Sequence, residues 1–267
     1  MRVIDFHTHV FPDEIAPRAV ANMQKSLDAA GVTVCLDGTV SDLARSMSDC
    51  GIERAVCLPV ATKPSQTPQL NQWAAQLQKT NPLFTCFGTV HPGNEDFREV
   101  LTEIKALGLR GIKMHPIFQS FSVKDPATME IFKVCGELGL IVLLHAGLEV
   151  IENPLADASP ASMVEMLEHC PHTTFVAAHM GGCRQWDEAA RCLAGKNIYF
   201  DTSLANHYLT SAQFTELVKL HGVDRVLFGT DSPWCSQRDA MEYVDSTDLT
   251  QAEKERIFYQ NALELLD

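Results

Sequence analysis

The stretch "VIDFHTHVFP" (residues 3–12) places His7 and His9 one residue apart at the end of a short apolar run. A β-strand alternates its side chains between two faces, so Asp5, His7 and His9 are expected on one face. Two neutral imidazoles converging on one point form a geometry that metals use. Taken alone, His-x-His is a weak signal, because strand-end histidines more often hydrogen-bond to neighbours. Three further placements change the weighing. His145 ends the run "LIVLLH", His179 ends "TTFVAAH" and Asp231 ends "RVLFGTD". Metal-type ligands thus end four separate apolar runs, and packing alone does not account for that.

The chemistry of this set is imidazole with one carboxylate. It suits Zn²⁺ first, with Mn²⁺, Fe²⁺ and Co²⁺ as alternatives. Such an ion lowers the pKa of a bound water from ~15.7 to about 7. Asp231 would accept that proton and pass it to a leaving group. Lys113 and His115, in "GIKMHP", share a face by the same period of two. Facing inward, Lys113 would carry a carboxylate made from CO₂ and bridge a second ion. Otherwise it pairs with Asp231 or with a substrate carboxylate. One ion is expected rather than two. His115, His91 and Arg184 are weaker candidates for contact with substrate, as are Lys63 and Arg238, and for each a rim hydrogen bond or solvated charge is the simpler reading. Asp201 and His207 have the same standing. His169, His172 and His221 fall near helix ends on the opposite side and read as caps or solvated surface.

The elements that must position these residues follow one grammar. Eight apolar runs, at 2–7, 54–60, 83–90, 109–114, 140–145, 173–179, 197–203 and 225–231, alternate with amphipathic helix patterns. Most are continuously hydrophobic, as parallel strands covered on both faces should be. The helices carry stop and start signals: Ser41 as N-cap and Gly51 as terminator, Asn94 to Gly108, and Pro126 in a first turn. Eightfold alternation predicts a closed (β/α)₈ TIM barrel as a single domain over residues 1–267, with ligands at the C-terminal strand tips where such barrels do chemistry. A doubly wound open sheet is second, and no G-x-G-x-x-G supports it. Residues 10–40 add a helix, "DEIAPRAVANMQKSLDAAG", and a β-like piece, "VTVCLDG", an insertion on the catalytic rim.

With 267 residues the barrel consumes nearly the whole chain, and a formal charge of −13 without any basic stripe argues against nucleic-acid or anionic-membrane partners. Nine cysteines without a CxxC pair read as reduced thiols. No charged-then-apolar leader precedes the first run and no stretch is long enough to span a bilayer, so a cytoplasmic protein is expected.

At these residues the sequence resembles the amidohydrolase superfamily of metal-dependent barrels. More narrowly, it is similar to the amidohydrolase-related branch that includes aminocarboxymuconate-semialdehyde decarboxylase and TIM-barrel metal-dependent hydrolases. The likeness runs from "IDFHTHVFP" through "AAHMGG" and "FGTDSPW" to "NALELL". It implies His7, His9, His145 and Asp231 as metal ligands, and His179 as ligand of a second ion or as the group that polarises substrate. Some decarboxylases of this branch begin with Glu-x-His, whereas this chain has His-x-His. TatD-type nucleases carry a glutamate where this chain has "GIKMHP".

The leading expectation is a hydrolase, in which metal-bound hydroxide attacks an amide, ester or lactone carbonyl of a small molecule, with Asp231 and His179 as catalytic groups. The alternative is a lyase that decarboxylates a small unsaturated or aromatic acid. A non-catalytic metal-binding barrel is third. The resemblance also implies a homodimer.

Overall fold

The computed structural model describes residues 1–27 and 33–267. Every one of the eight runs forms a strand. These are β1 (Ile4–Thr8), β2 (Arg54–Cys57), β3 (Phe84–Cys86), β4 (Gly88–Thr89), β5 (Gly111–Met114), β6 (Ile141–Leu144), β7 (Phe175–Ala177), β8 (Tyr199–Asp201) and β9 (Val226–Leu227). The third run is interrupted at Phe87 and yields two labels, so nine strands make eight staves.

All pairings are parallel, in the orders β1-β2-β3 and β4 through β9. Phe87 N donates to Cys57 O (3.0 Å) at the junction of the two groups. The first stave closes on the last through Phe6 N to Phe228 O (2.7 Å), Asp231 N to His7 O (2.8 Å) and His9 N to Ser232 O (2.6 Å). The architecture is the expected TIM barrel.

The apolar residues divide between two layers. Ile4, Phe6, Leu58, Phe87, Leu143, Val176 and Leu227 fill the barrel, and Tyr259, Ala262 and Leu266 of the C-terminal segment cover them. The alternate residues of each strand, such as Ala55, Cys57, Ile112, Met114 and Phe200, pack outward against helices. Gly111 allows the inner layer to close, because a Cβ there would stand 2.3 Å from Ile141 O and 2.8 Å from the Phe87 ring.

Helix signals were partly displaced. In α2 (Val40–Cys50) the cap is Thr39, whose hydroxyl accepts from Asp42 N, and Ser41 lies inside the first turn. Gly51 terminates it at φ 72°, a left-handed value that glycine adopts without steric cost. Asn94 does not cap the next outer helix, which spans Phe97–Ala106. Its carboxamide instead accepts from His91 N and from the Thr67 hydroxyl. The rim insertion forms α1 (Ala16–Leu27). Residues 13–15 of the expected helix form a turn ahead of α1, and residues 28–31 lie outside the described residues, as does Val32 of the β-like piece. Residues 33–38 form no strand, and Cys35 N and Leu36 N both donate to Pro233 O.

Candidate active site

A β-bulge aims the first two histidines. Asp5 pairs with Ala55 but Thr8 pairs with Cys57, so β1 spends one extra residue between them. The bulge breaks strict alternation. Asp5 therefore does not share the face of His7 and His9. It is turned outward, where it accepts from Thr230 N (3.1 Å), Thr230 Oγ1 (2.7 Å) and Gln237 Nε2 (2.8 Å). Burial raises its carboxyl to about 7 despite these donors.

His7 and His9 line a cavity of about 960 Å³ at the C-terminal end of the barrel, together with Lys113, His115, His145, Glu149, His179, Arg184 and Asp231. The tautomers follow from the hydrogen bonds. His7 Nδ1 donates to Asp201 Oδ2 (2.8 Å) and His9 Nδ1 donates to the Leu58 carbonyl (2.7 Å). A neutral imidazole carries one proton, so both Nε2 atoms are acceptors. They face each other at 3.2 Å, and Asp231 Oδ1 stands 3.3 and 3.1 Å from them. Three acceptors pointed at one another repel unless a cation sits among them. His7, His9 and Asp231 are thus a fitting donor set for a divalent ion.

The electrostatics agree. Burial, followed by the nearby Lys113, lowers the His7 pKa. Burial would raise Asp231, yet His7, His9 and His179 hold it well below the usual carboxylate range. Asp201 is treated alike: burial opposes, while the His7 ring and its hydrogen bond, with the Ser203 hydroxyl, keep it ionised. Lys113, fully buried, is lowered to about 8 by burial, and its Nζ donates to His7 Nε2 at 3.2 Å. No ion pair joins Lys113 to Asp231 within 4.0 Å among the described residues.

His179 and His145 form a second pair. Ser203 Oγ donates to Asp201 Oδ1 and accepts from His179 Nδ1 (2.8 Å). This makes His179 Nε2 the acceptor of a hydrogen bond from His145 Nδ1 (2.9 Å). His145 is absent from the close group of His7, His9 and Asp231 and stands farther along the floor against His179. Burial brings His179 down to about 4 and His145 well below its ordinary value. His179 and Asp231 both occupy the left-handed region, at φ 58° and 63°. Such positions cost a non-glycine residue about 1–3 kcal/mol and gather at functional sites.

Two loops are laced beneath this pair. Cys183 N donates to Ala146 O (2.8 Å) and Leu148 N to Cys183 O (2.9 Å). Gly147 makes the approach possible, with φ 83° and only 2.4 Å between an added Cβ and Cys183 N. The lacing carries Glu149 to the floor, where burial raises its carboxyl to about 6. Glu149 Oε2 lies 3.8 and 3.9 Å from His115 Nε2 and His145 Nε2. The two rings are stacked with centroids 4.2 Å apart and planes 18° from parallel. Stacked rings cannot both aim an in-plane lone pair at one ion, so this trio is a polar patch. His145 Nε2 and His115 Nδ1 are buried there without a hydrogen-bond partner.

The remaining candidates divide. His115 lines the cavity, stacked also on Phe118. Arg184 and Lys63 line it too, exposed at its mouth and without a carboxylate partner among the described residues. His91 is off the cavity, its Nδ1 accepting from Gly93 N (3.0 Å). Arg238 donates to Asp49 O away from the site. His221 is not solvated: it is buried against Phe200, with Nε2 2.9 Å from Ile198 O.

Comparison with known proteins bears on the fold and the family. No curated protein sequence matches the chain. Among solved structures, an uncharacterised TIM-barrel protein from Bordetella bronchiseptica superposes with a TM-score of 0.79 at 19% identity, covering 100% of this chain and 98% of that one. The 5-carboxyvanillate decarboxylase of Sphingomonas paucimobilis gives 0.69 at 16% identity, over 99% and 98%. A 5-carboxyvanillate decarboxylase of Novosphingobium aromaticivorans, solved with bound manganese, gives 0.71 at 14% identity, over 99% and 96%. At these identities the likeness is one of fold. The sequence match is broader in consequence: a family model for amidohydrolases spans residues 4–267, and the chain belongs to that family of enzymes.

Proposed function

We propose that the protein is a metal-dependent lyase that removes CO₂ from a small unsaturated or aromatic acid without an oxidant. The carrying observation is the floor itself: three convergent acceptors, His7, His9 and Asp231, at the base of a deep cavity walled by apolar side chains. His7, His9 and Asp231 would hold the ion, with His145 and His179 adjoining. When bound, the ion supplies positive charge that holds an acid's oxygens and steadies developing negative charge. Zn²⁺ and Mn²⁺ both suit the donors, and manganese is bound in one decarboxylase of this fold.

The chain's residues supply the rest. Asp201 and Ser203 fix the His7 and His179 rings. Lys113 keeps a cation beneath the floor. Asp231, whose side chain is 12% exposed, passes a proton between the floor and the bound molecule. In the reaction the bond from the carboxyl carbon to the body breaks, its electron pair stays on the body carbon, a proton ends there, and CO₂ leaves. Two of the similar folds named above are decarboxylases.

Hydrolysis of an amide, ester or lactone is the second reading. It rests on His7, since some decarboxylases of the branch have a glutamate there. The test is product analysis on Mn²⁺-loaded protein with a panel of aromatic and unsaturated acids and matching esters. Release of CO₂ from an acid, abolished by Asp231→Asn, is expected. Turnover of esters alone, with no CO₂ from any acid, would establish the hydrolase instead.

A further inference from the structure

Above the floor the cavity has a second, apolar storey that a single-ring acid would leave empty. Its size is the first sign. At about 960 Å³ it lies near the top of the range for small-molecule sites, about 300–1,000 Å³. Its walls are the second. Ile15, just before α1, and Ala19, Met23 and Leu27 within it follow one another at intervals of four, and all line the cavity. Residues three and four apart lie on one helix face, so α1 turns these four apolar side chains inward, with Arg18 and Asn22 between them along the same wall. Helix α3 (Thr67–Thr80) answers with Leu70 and Trp73, beside Gln69.

The mouth is the third sign. Ile15, Leu148 and Tyr208 line the cavity yet are 45%, 50% and 39% exposed. Single exposed apolar residues are ordinary, but a collar continuous with a cavity marks a binding surface. The collar, the wall and the floor form one space, so whatever fills the storey is joined to whatever reacts below.

We propose that the substrate is an acid carrying an apolar body longer than one ring, whose carboxyl end rests on the floor while the body lies between α1 and α3. The inference rests on the acid reading given under Proposed function, and Ala19 and Met23 become residues that set substrate length.

Calorimetric binding to the Mn²⁺-loaded protein tests it, with two series as probes: straight-chain carboxylates from butanoate to decanoate, and the alcohols of the same lengths. Burying one methylene contributes about 0.8 kcal/mol, or roughly fourfold in affinity. Octanoate is therefore expected to bind on the order of a hundredfold more tightly than butanoate. Ala19→Trp, which fills the storey from a half-buried helix position, should abolish that dependence while the protein still retains its metal. Affinity that does not change with length overturns the proposal, as does a length dependence that survives Ala19→Trp. The alcohols separate the two readings. Length-dependent binding of alcohols with no preference for carboxylates would keep the apolar storey and overturn the acid.

Discussion

His7 and His9 owe their chemistry to what their other ring nitrogens do. The Asp201 carboxylate fixes the proton of His7 on Nδ1, and the Leu58 carbonyl does the same for His9. Their Nε2 atoms are thereby left as acceptors facing the cavity, as the proposed metal centre requires. Partners of this kind orient a ligand and raise its basicity, and losing one typically costs about 10–100-fold in metal affinity. Asp201→Asn keeps the shape and removes the charge, so we expect Mn²⁺ affinity to fall by roughly that factor in a chelator-competition titration, with CO₂ release falling alongside it. The residue types of the candidate site were legible in the sequence, because His7, His9, His145, His179 and Asp231 each lie at the end of an apolar run, but which of them stand together was not. Asp201 ended one too, and Ser203 follows it at the strand period, but nothing in the run says that they serve two histidines. Glu149 carried no signal: it sits in a loop, and only the lacing of Gly147 to Cys183 brings it to the floor.

Strand and helix existence was legible where periodicity was strong, and all eight runs became strands. Their ends were not, since a cap is decided by which hydroxyl reaches a free N–H: Thr39 does so and Ser41 does not. The bulge in β1 was hidden for a similar reason. Period-two reasoning places Asp5 beside His7, and one extra residue separates their faces. His221 misled because a helix-end histidine usually meets water, whereas this one closes the helix Ser211–His221 over Phe200. Burial holds it at about 4 against an ordinary 6.5. A depressed folded-state value means that the unfolded chain binds more protons as pH falls through that window. Stability is therefore complete above about pH 6.5 and declines toward pH 4, by on the order of 3 kcal/mol from this one group. Urea unfolding at about pH 7 and about pH 5 should show the loss, and His221→Phe should flatten the slope. An unchanged slope in the variant would place the pH dependence on other groups.

Barrel architecture follows from the whole chain's alternation of runs and helices, and this is why the fold was readable without the structure. Closure adds what no single run contains: residues from seven staves reach one cavity, and His7 meets Asp231 across the seam between first and last. A folded chain is thus needed to assemble the donors. An ion that binds only the folded chain stabilises it by about 2.7 kcal/mol at a hundred times its dissociation constant. That corresponds to a rise of roughly 5–10 °C in Tm for a domain of this size. Scanning calorimetry with Mn²⁺, before and after a chelator, should show the rise and its reversal. The most direct test is metal content per chain by elemental analysis, for protein saturated with Mn²⁺ and then freed of loosely held ion. The wild type should retain one ion, His9→Ala should lose it, and Lys113→Ala should keep it. An empty wild type, or an ion that survives His9→Ala, would contradict the assignment of His7, His9 and Asp231 as the metal centre.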